Sequence, residues 1–311
     1  MKHIFIINPV AGSGKARGYF MPRILSEIQK YDVEYKVHIT TKVGDAERFV
    51  KRLCSFRKDP KQTLRFYACG GDGTLNEVLN GLMGYQNVQL ACIPAGSGND
   101  FVRNFGDTKR FFDIKAQLSA RPTMVDSMAF WTDDGRKRLG LNLINMGVDT
   151  EAARYMEMVK QKKILQGTSA YIFGAACAFF QLRSYDIDVW LDDREEFGGA
   201  ITLLALGNGT TYGGGFRATP EARVDDGLID MCLVKKIDRR QFLKLIGPYK
   251  KGEHIRKDRD EEIIRYKKGK AIRIRSEAPL GISVDGELIH TTKLRVEVQP
   301  KSVCFVVPGA L

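Results

Sequence analysis

Residues 64–77 read Leu-Arg-Phe-Tyr-Ala-Cys-Gly-Gly-Asp-Gly-Thr-Leu-Asn-Glu, an apolar run that breaks into glycines and then into a helical pattern. Leu64–Cys69 has the content of a buried strand, and Leu75–Leu82 has helical spacing. Between them lies the loop Gly70-Gly71-Asp72-Gly73-Thr74. Its paired glycines let backbone approach a ligand closely, and Thr74 can cap the helix whose N-terminus then meets phosphate. Asp72 has no packing role there; a carboxylate beside a triphosphate suits a Mg²⁺ or water ligand. A plain Gly-Asp-Gly turn is common at strand ends, but the glycines, acid, cap and Asn76-Glu77 in succession favour a ligand loop.

The same unit recurs on either side. Lys2–Ile7 is a β-rich run ending at Asn8-Pro9, and Arg17–Lys30 places Phe20, Ile24 and Ile28 at helical spacing. Val33–Ile39 alternates, Asp45–Phe56 is helical again, and Gln89–Ile93 is a further buried strand. Repeated β-α units imply an open, mostly parallel sheet whose ligands bind at loops beyond the strand C-termini. Four unusual loops, 8–15, 40–44, 70–74 and 94–100, are therefore expected on one sheet edge.

The first of them, Asn8-Pro9-Val10-Ala11-Gly12-Ser13-Gly14-Lys15, is not a P-loop, because Pro9 stands where glycine is required and Ala16 follows Lys15. It also lacks the dinucleotide fingerprint, since Arg17 occupies the third glycine position. It reads equally as a phosphate-facing loop and as an ordinary turn. Pro94-Ala95-Gly96-Ser97-Gly98-Asn99-Asp100 repeats the logic of the Gly70 loop. The two acid-bearing loops together could hold hydrated Mg²⁺ against a nucleotide.

From about Val125 short strand-like runs dominate: 140–146, 186–191, 200–206, 228–234, 262–267, 271–275, 281–284, 294–298 and 303–307. Helical stretches at Thr150–Lys162, Ser169–Arg183 and Arg239–Tyr249 interrupt them. This pattern predicts an antiparallel β-sandwich with a few helices. On spacing alone, Asp226-Gly227 after Gly213-Gly214-Gly215 reads as a hairpin turn, and so does Val284-Asp285-Gly286-Glu287. With one carboxylate on such a turn, Asp285 and Glu287 could instead share general-base duty. His3, His38, His254 and His290 fit no ligand spacing and read as structural or surface residues.

The chain has 311 residues, 43% of them hydrophobic, and 49 Lys and Arg against 37 Asp and Glu, a net charge of +12. That composition excludes a disordered polyelectrolyte and suggests two domains. Six cysteines, none in a C-x-x-C pair, sit in apolar runs and read as core residues in a reducing compartment. The longest nearly apolar run, Ala170–Phe180, is about half the ~20 residues a membrane span needs, and the N-terminus lacks an h-region. A cytoplasmic protein with an acidic partner is the expectation. Lys235–Arg275 carries 16 Lys and Arg against 6 Asp and Glu, so most of the excess lies in one segment. That segment lies beside no aromatic-interleaved nucleic-acid motif and reads as a docking patch for anionic headgroups. It reads nearly as well as a solvated face with a basic strand edge.

The ordered set of NPVAGSGKA at 8–16, TTKVGDA at 40–46, GGDGTLNE at 70–77, IPAGSGNDF at 93–101, YGGGFRATPEARVDDGLIDMCLV at 212–234 and VDGE at 284–287 resembles the bacterial diacylglycerol kinase family. These are soluble lipid kinases related to sphingosine kinases. The resemblance implies an ATP-binding α/β domain over 1–125, completed by a last strand at 301–311, and a lipid-binding β-sandwich over 126–300. It implies ATP contacts at Asn8, Pro9, Ala11, Gly12, Thr40, Gly70, Gly71, Asp72, Gly73, Thr74, Asn76 and Ser97. It further implies a Mg²⁺–water network at Asp72, Asp100 and Asp126, and a structural Mg²⁺ on Asp226 with the carbonyls of Arg223 and Leu228. The base for the lipid hydroxyl would be Glu287 or Asp285.

The implied activity is ATP- and Mg²⁺-dependent phosphorylation of diacylglycerol by a peripherally membrane-associated enzyme, and a homodimer is left open. Ser97, where the bacterial enzymes usually have Thr, resembles the sphingosine-kinase loop, whereas Asp100 does not. A sphingoid-base or other lipid-alcohol kinase is therefore the first alternative. An NAD kinase-like enzyme shares only GGDGT. A non-enzymatic nucleic-acid binder would leave the acidic glycine loops without a purpose.

Overall fold

Lys2–Ile7 forms β1, and His3 through Ile7 are all buried. Burial on both faces is what a central parallel strand requires. β1 pairs in parallel with β2 (Glu34–Ile39) and with β3 (Leu64–Gly70), and β3 pairs in parallel with β4 (Val88–Pro94). The helices between them are α1 (Ala16–Ile28), α2 (Asp45–Ser55) and α3 (Asp72–Leu82). Phe5, Ile7, Tyr67, Cys69, Ala91 and Ile93 pack against Phe20, Ile24 and Ile28 of α1 and Ile114 of α4 (Ile114–Ser119). A further strand is supplied from the far end of the chain: Phe305 of β13 (Glu287–Val306) pairs in parallel with Leu90.

The computed structural model describes residues 1–12, 16–96, 98–148, 150–151, 182–255 and 262–309. Ser97, Cys177, the Ala170–Phe180 run and nearly all of the two helices expected over 150–183 lie outside them. The chain divides into two compact units, Met1–Ser127 with Gln299–Leu311, and Met128–Val298. Among the described residues no helix is long and apolar enough to cross a membrane.

The second unit is antiparallel throughout its described pairings. Its strands are β6 (Lys137–Gly140), β7 (Leu143–Gly147), β8 (Tyr185–Leu191), β9 (Arg194–Gly207), β10 (Ile229–Lys235), β11 (Ile264–Gly269) and β12 (Ala271–Val284). One helix, α5 (Arg239–Lys251), follows β10. β9 and β12 are long and change partners along their length. β9 pairs with β8 over 194–201 and with β7 and β10 toward Gly207, while β12 pairs with β8 over 272–275 and with β7 over 282–284. The four strands β7, β9, β8 and β12 thus close on themselves around Ile144, Met146, Ile187, Val189, Leu204, Leu206, Ile272 and Ile282. Strands that switch layers are how a sandwich makes its corners.

Several boundaries differ from the sequence reading. Runs 271–275 and 281–284 belong to one strand, because Ser276-Glu277-Ala278-Pro279 passes as an irregularity between Arg275 and Leu280 rather than as a turn. Runs 294–298 and 303–307 likewise fall almost wholly in β13, with Lys301 at φ 48°. The expected strand 140–146 is instead β6 and β7, broken at 141–142. A strand the sequence did not announce, β5 (Pro122–Trp131), has a buried polar centre: Asp126 accepts Lys301 N–H at 2.6 Å and Ser127 Oγ lies 2.8 Å from Ser302 Oγ.

Of the cysteines, Cys54, Cys69, Cys92 and Cys232 are buried and Cys304 is half-buried, all as free thiols. Two of the histidines are core residues. His3 Nδ1 lies 2.8 Å from Tyr67 Oη, and His254 Nε2 lies 3.1 Å from Ala218 O. Burial pulls both imidazoles from 6.5 to about 4. Between those values the unfolded chain binds more protons than the folded one, so stability declines with falling pH. The melting temperature should fall as pH drops from 6.5 toward about 4, with a shallower slope in His3→Gln. A wild-type melting temperature that stays flat across that window contradicts the neutral, buried state of these rings.

Candidate active site

Parallel pairing brings the four glycine-bearing or polar loops of the first unit to one sheet edge. Ile7 stands beside Ile39 and Cys69, and Gly70 beside Pro94. The ladder continues into the loops, with Asn8 N–H donating to Cys69 O at 3.0 Å, Thr40 N–H to Ile7 O at 2.9 Å and Ala95 N–H to Gly70 O at 2.7 Å.

Missing side chains set how closely these loops approach. A Cβ on Gly96 would lie 2.5 Å from Gly71 Cα, and one on Gly70 would lie 2.3 Å from Thr74 Oγ1. Gly12, at φ 60°, faces Ala95 O, where a Cβ would come within 3.2 Å. Over Gly73, by contrast, a Cβ would meet nothing within 4 Å. The loops are packed onto each other and leave open space above the first turn of α3, where backbone N–H groups lack helical acceptors.

Thr74 does not cap that helix as the sequence suggested. α3 starts at Asp72, with Gly71 as an extended N-cap that makes no side-chain cap bond. Thr74 is already inside the first turn, and its Oγ1 accepts from Asn8 Nδ2 at 3.1 Å. Asn8 Oδ1 accepts Val10 N–H at 3.1 Å, and Ala11 N–H donates to Asn8 O at 3.3 Å, so Pro9 sits in a tight turn tied to α3. Asn76 is buried, its Oδ1 accepting from Asn80 Nδ2 at 2.9 Å.

Asp72 joins the β3 and β4 loops. Its Oδ2 accepts Asn99 N–H at 2.9 Å and its Oδ1 accepts Asp100 N–H at 2.8 Å. Asn99, left-handed at φ 50°, closes its own loop through Gly96 N–H and Gly96 O at 2.9 and 2.7 Å. Asp100 is buried, 3.4 Å from Arg103 Nε. Asp72 and Asp100 flank Gly98, whose Cβ would meet Asp72 Oδ2 at 2.8 Å and Asp100 Oδ2 at 3.0 Å. Asp126 is held by Lys301. Among the described residues no three His, Cys, Asp or Glu side chains converge to hold a metal, so an ion shared by these carboxylates would meet them through water.

Glu77, which ended the glycine motif without an assigned role, positions the Thr40–Gly44 loop. Its carboxylate accepts Gly44 N–H at 2.8 Å and Ala46 N–H at 3.1 Å at the start of α2. An acid at a helix N-terminus was not legible as such, because it comes from a different helix.

In the second unit, Asp285 and Gly286 form a two-residue hairpin between β12 and β13 with φ 49° and 92°. The Asp285 carboxylate accepts three backbone N–H groups, of Leu141 at 2.7 Å, Asn142 at 2.9 Å and Leu143 at 3.0 Å. An ionised carboxylate offers about four lone-pair positions, so Asp285 is largely committed to holding the 141–143 segment. Glu287, half-buried, follows at the first residue of β13.

Asp226 is exposed and closes a turn on Leu228 N–H at 3.1 Å, and neighbouring Asp225 lies 3.6 Å from Arg223 Nε. Asp230, fully buried, receives Tyr266 Oη at 2.5 Å and Lys268 Nζ at 3.1 Å, yet its Oδ2 is buried without a partner among the described residues. Burial raises its pKa, with Asp226 adding in the same direction against Tyr266 and Lys268. An unanswered buried carboxylate oxygen within the field of a second carboxylate fits a cation at the Asp226 turn.

Residues 2–128 match the model of the diacylglycerol kinase catalytic domain, and residues 142–307 match that of the YegS C-terminal NAD kinase beta sandwich-like domain. Diacylglycerol kinase of Bacillus subtilis strain 168 is 29% identical over 288 residues, covering 91% of this chain and 88% of that protein. Diacylglycerol kinase of Staphylococcus saprophyticus is 30% identical over 285 residues, covering 91% and 87%. A crystal structure of a diacylglycerol kinase from Bacillus anthracis strain Sterne aligns with TM-score 0.68 at 21% identity, covering 99% of this chain and 97% of that one. It is evidence of shared fold.

Two alanine substitutions separate packing from ligand space. Gly96→Ala forces the β3 and β4 loops apart and should lower both melting temperature and nucleotide affinity. Gly73→Ala meets only open space, so it should leave the melting temperature unchanged and weaken nucleotide binding about 10-fold or more, as a methyl placed against a phosphate site must. Unchanged nucleotide affinity in Gly73→Ala contradicts the placement of phosphate over the first turn of α3.

Proposed function

The chain belongs to the bacterial diacylglycerol kinase family, and from that premise we propose that it transfers the γ-phosphoryl group of ATP to the free hydroxyl of diacylglycerol, making phosphatidic acid. That it is a lipid kinase follows from the family; the acceptor, the nucleotide and the roles below are our reading. The observation that carries it is the mutual contact of the three glycine loops under an open helix N-terminus.

Phosphoryl transfer asks a protein mainly for positioning and charge stabilisation. Gly12, Gly70, Gly71 and Gly73 supply backbone that a triphosphate can approach, while Asn8 and Thr74 lock the two loops around it. Thr40, held by Glu77 through the Gly44 turn, borders the same edge. Mg²⁺ bound with ATP would offset phosphate charge, with Asp72, Asp100 and Asp126 as its candidate holders through water. The separate structural Mg²⁺ would rest on Asp226 and the carbonyls of Arg223 and Leu228.

For the base, the bonding of Asp285 separates the pair. A carboxylate already accepting three N–H groups is poorly placed to take a proton, whereas it is well placed to fix the turn that presents its neighbour. We assign proton removal from the lipid hydroxyl to Glu287 and the positioning of that turn to Asp285. The substrate reaches the protein from a membrane, so peripheral attachment to an anionic surface is part of the reading.

The test is labelled ATP with Mg²⁺ and a panel of diacylglycerol, sphingoid base, other lipid alcohols and NAD. Diacylglycerol should be labelled preferentially. Glu287→Gln should cut turnover by about 10²–10⁴-fold with ATP affinity and melting temperature nearly intact. Asp285→Asn, which sets an amide against a backbone N–H, should lower stability by about 1–3 kcal/mol as well as activity. Preferential labelling of another acceptor overturns the diacylglycerol assignment, and full activity of Glu287→Gln overturns the base.

A further inference from the structure

The positive excess of Lys235–Arg275 is not one patch. On the strands, Arg265 and Lys267 lie 3.5 and 3.1 Å from Glu196, Lys268 lies 3.1 Å from Asp230, and Arg273 lies 3.2 Å from Asp193. Those four charges are answered within the fold. The thirteen residues of α5, Arg-Arg-Gln-Phe-Leu-Lys-Leu-Ile-Gly-Pro-Tyr-Lys-Lys, contain five cations and no acid. Lys250 lies over the Phe216 ring at 5.7 Å. Arg240, Lys244 and Lys251 are exposed and make no ion pair among the described residues.

The faces of α5 are sharply divided. Phe242, Leu245 and Tyr249 pack with Cys232, Val234 and Ile264. Arg240, Lys244 and Lys251, four and seven residues apart, form a row on the other side. Beside that row stands Leu243, 60% exposed. The helix is fixed at both ends, by a capping box of Asp238 with Gln241 and by left-handed Gly252, so it presents this face without rearrangement. The cations at its start do not serve the helix itself. Arg240 and Lys244 are like charges one turn apart, and Arg239 and Arg240 lie in the first turn, where the macrodipole disfavours cations.

We propose that α5 is a membrane-docking helix, lying on an anionic bilayer with Arg240, Lys244 and Lys251 at headgroup phosphates and Leu243 in the headgroup–acyl boundary. Basic residues flanking an exposed apolar side chain on a solvent-facing helix are the pattern of an interfacial element. A second copy of this chain, itself at +12, is repelled by such a face. Duplex nucleic acid would answer the charges but gives Leu243 nothing to bury against. The inference rests on the membrane-lipid reading of the substrate and names the element that meets the bilayer.

Sedimentation with phosphatidylcholine vesicles, with and without phosphatidylserine, tests it without any catalytic readout. Wild type should bind only the anionic vesicles and lose binding with rising salt. Arg240→Gln/Lys244→Gln/Lys251→Gln should bind them about 100-fold more weakly, at roughly 5-fold per charge. Leu243→Ala should weaken binding several-fold without altering its salt dependence. Both variants should keep wild-type turnover on a short-chain, water-dispersed diacylglycerol. Vesicle binding by the triple variant equal to wild type overturns the proposal, as does a triple variant that loses duplex DNA binding while keeping vesicle binding. A protein that phosphorylates no diacylglycerol but shows these vesicle results refutes the substrate, not the docking helix.

Discussion

Gly71 and Gly96 touch backbone to backbone, and the candidate nucleotide site depends on that contact. It exists because four parallel strands end at one edge and because neither residue has a Cβ to hold the loops apart. Asp72 then fastens what the glycines allow, taking the N–H groups of Asn99 and Asp100. Since Asp72 is also the first residue of α3, the same bonds set where that helix begins. Strand order, loop contact and the open first turn are one arrangement.

The second unit solves a related problem with a single side chain. Asp285, on a hairpin, holds the 141–143 segment, and Asn142 in turn receives Asn208 N–H and Gly209 N–H on its carbonyl, both at 2.9 Å. Three remote stretches of chain are thereby joined through the 141–143 segment. This accounts for an acid beside Glu287 without giving the two acids the same task. A carboxylate that accepts three backbone N–H groups organises backbone, and the base role proposed for Glu287 rests on that difference.

Much of the first unit was legible because local signals and tertiary outcome agree there. Apolar runs such as Lys2–Ile7 are buried on both faces, and each ends in a glycine-rich or polar loop. What escaped is non-local. Thr74 looked like a cap because a hydroxyl before an apolar helix usually is one, but Gly71 let the helix start earlier and freed Thr74 for Asn8. Glu77 caps a helix 31 residues away. β5 was hidden by Asp126 and Ser127, polar residues that the core accepts only because Lys301 and Ser302 arrive from the other end of the chain. In the second unit, strands long enough to change partners read as several short ones. The basic segment was visible as a sum; only ion-pair geometry divides it between the strands and α5.

The loops after β1, β2, β3 and β4 are proposed to form one nucleotide cradle. Hydrogen–deuterium exchange with and without Mg²⁺-ATP tests it most directly. Exchange should slow chiefly in residues 8–12, 40–46, 71–76 and 95–100, with little change in β8 or β11. Protection absent from the 71–76 and 95–100 segments, with nucleotide bound, would contradict it.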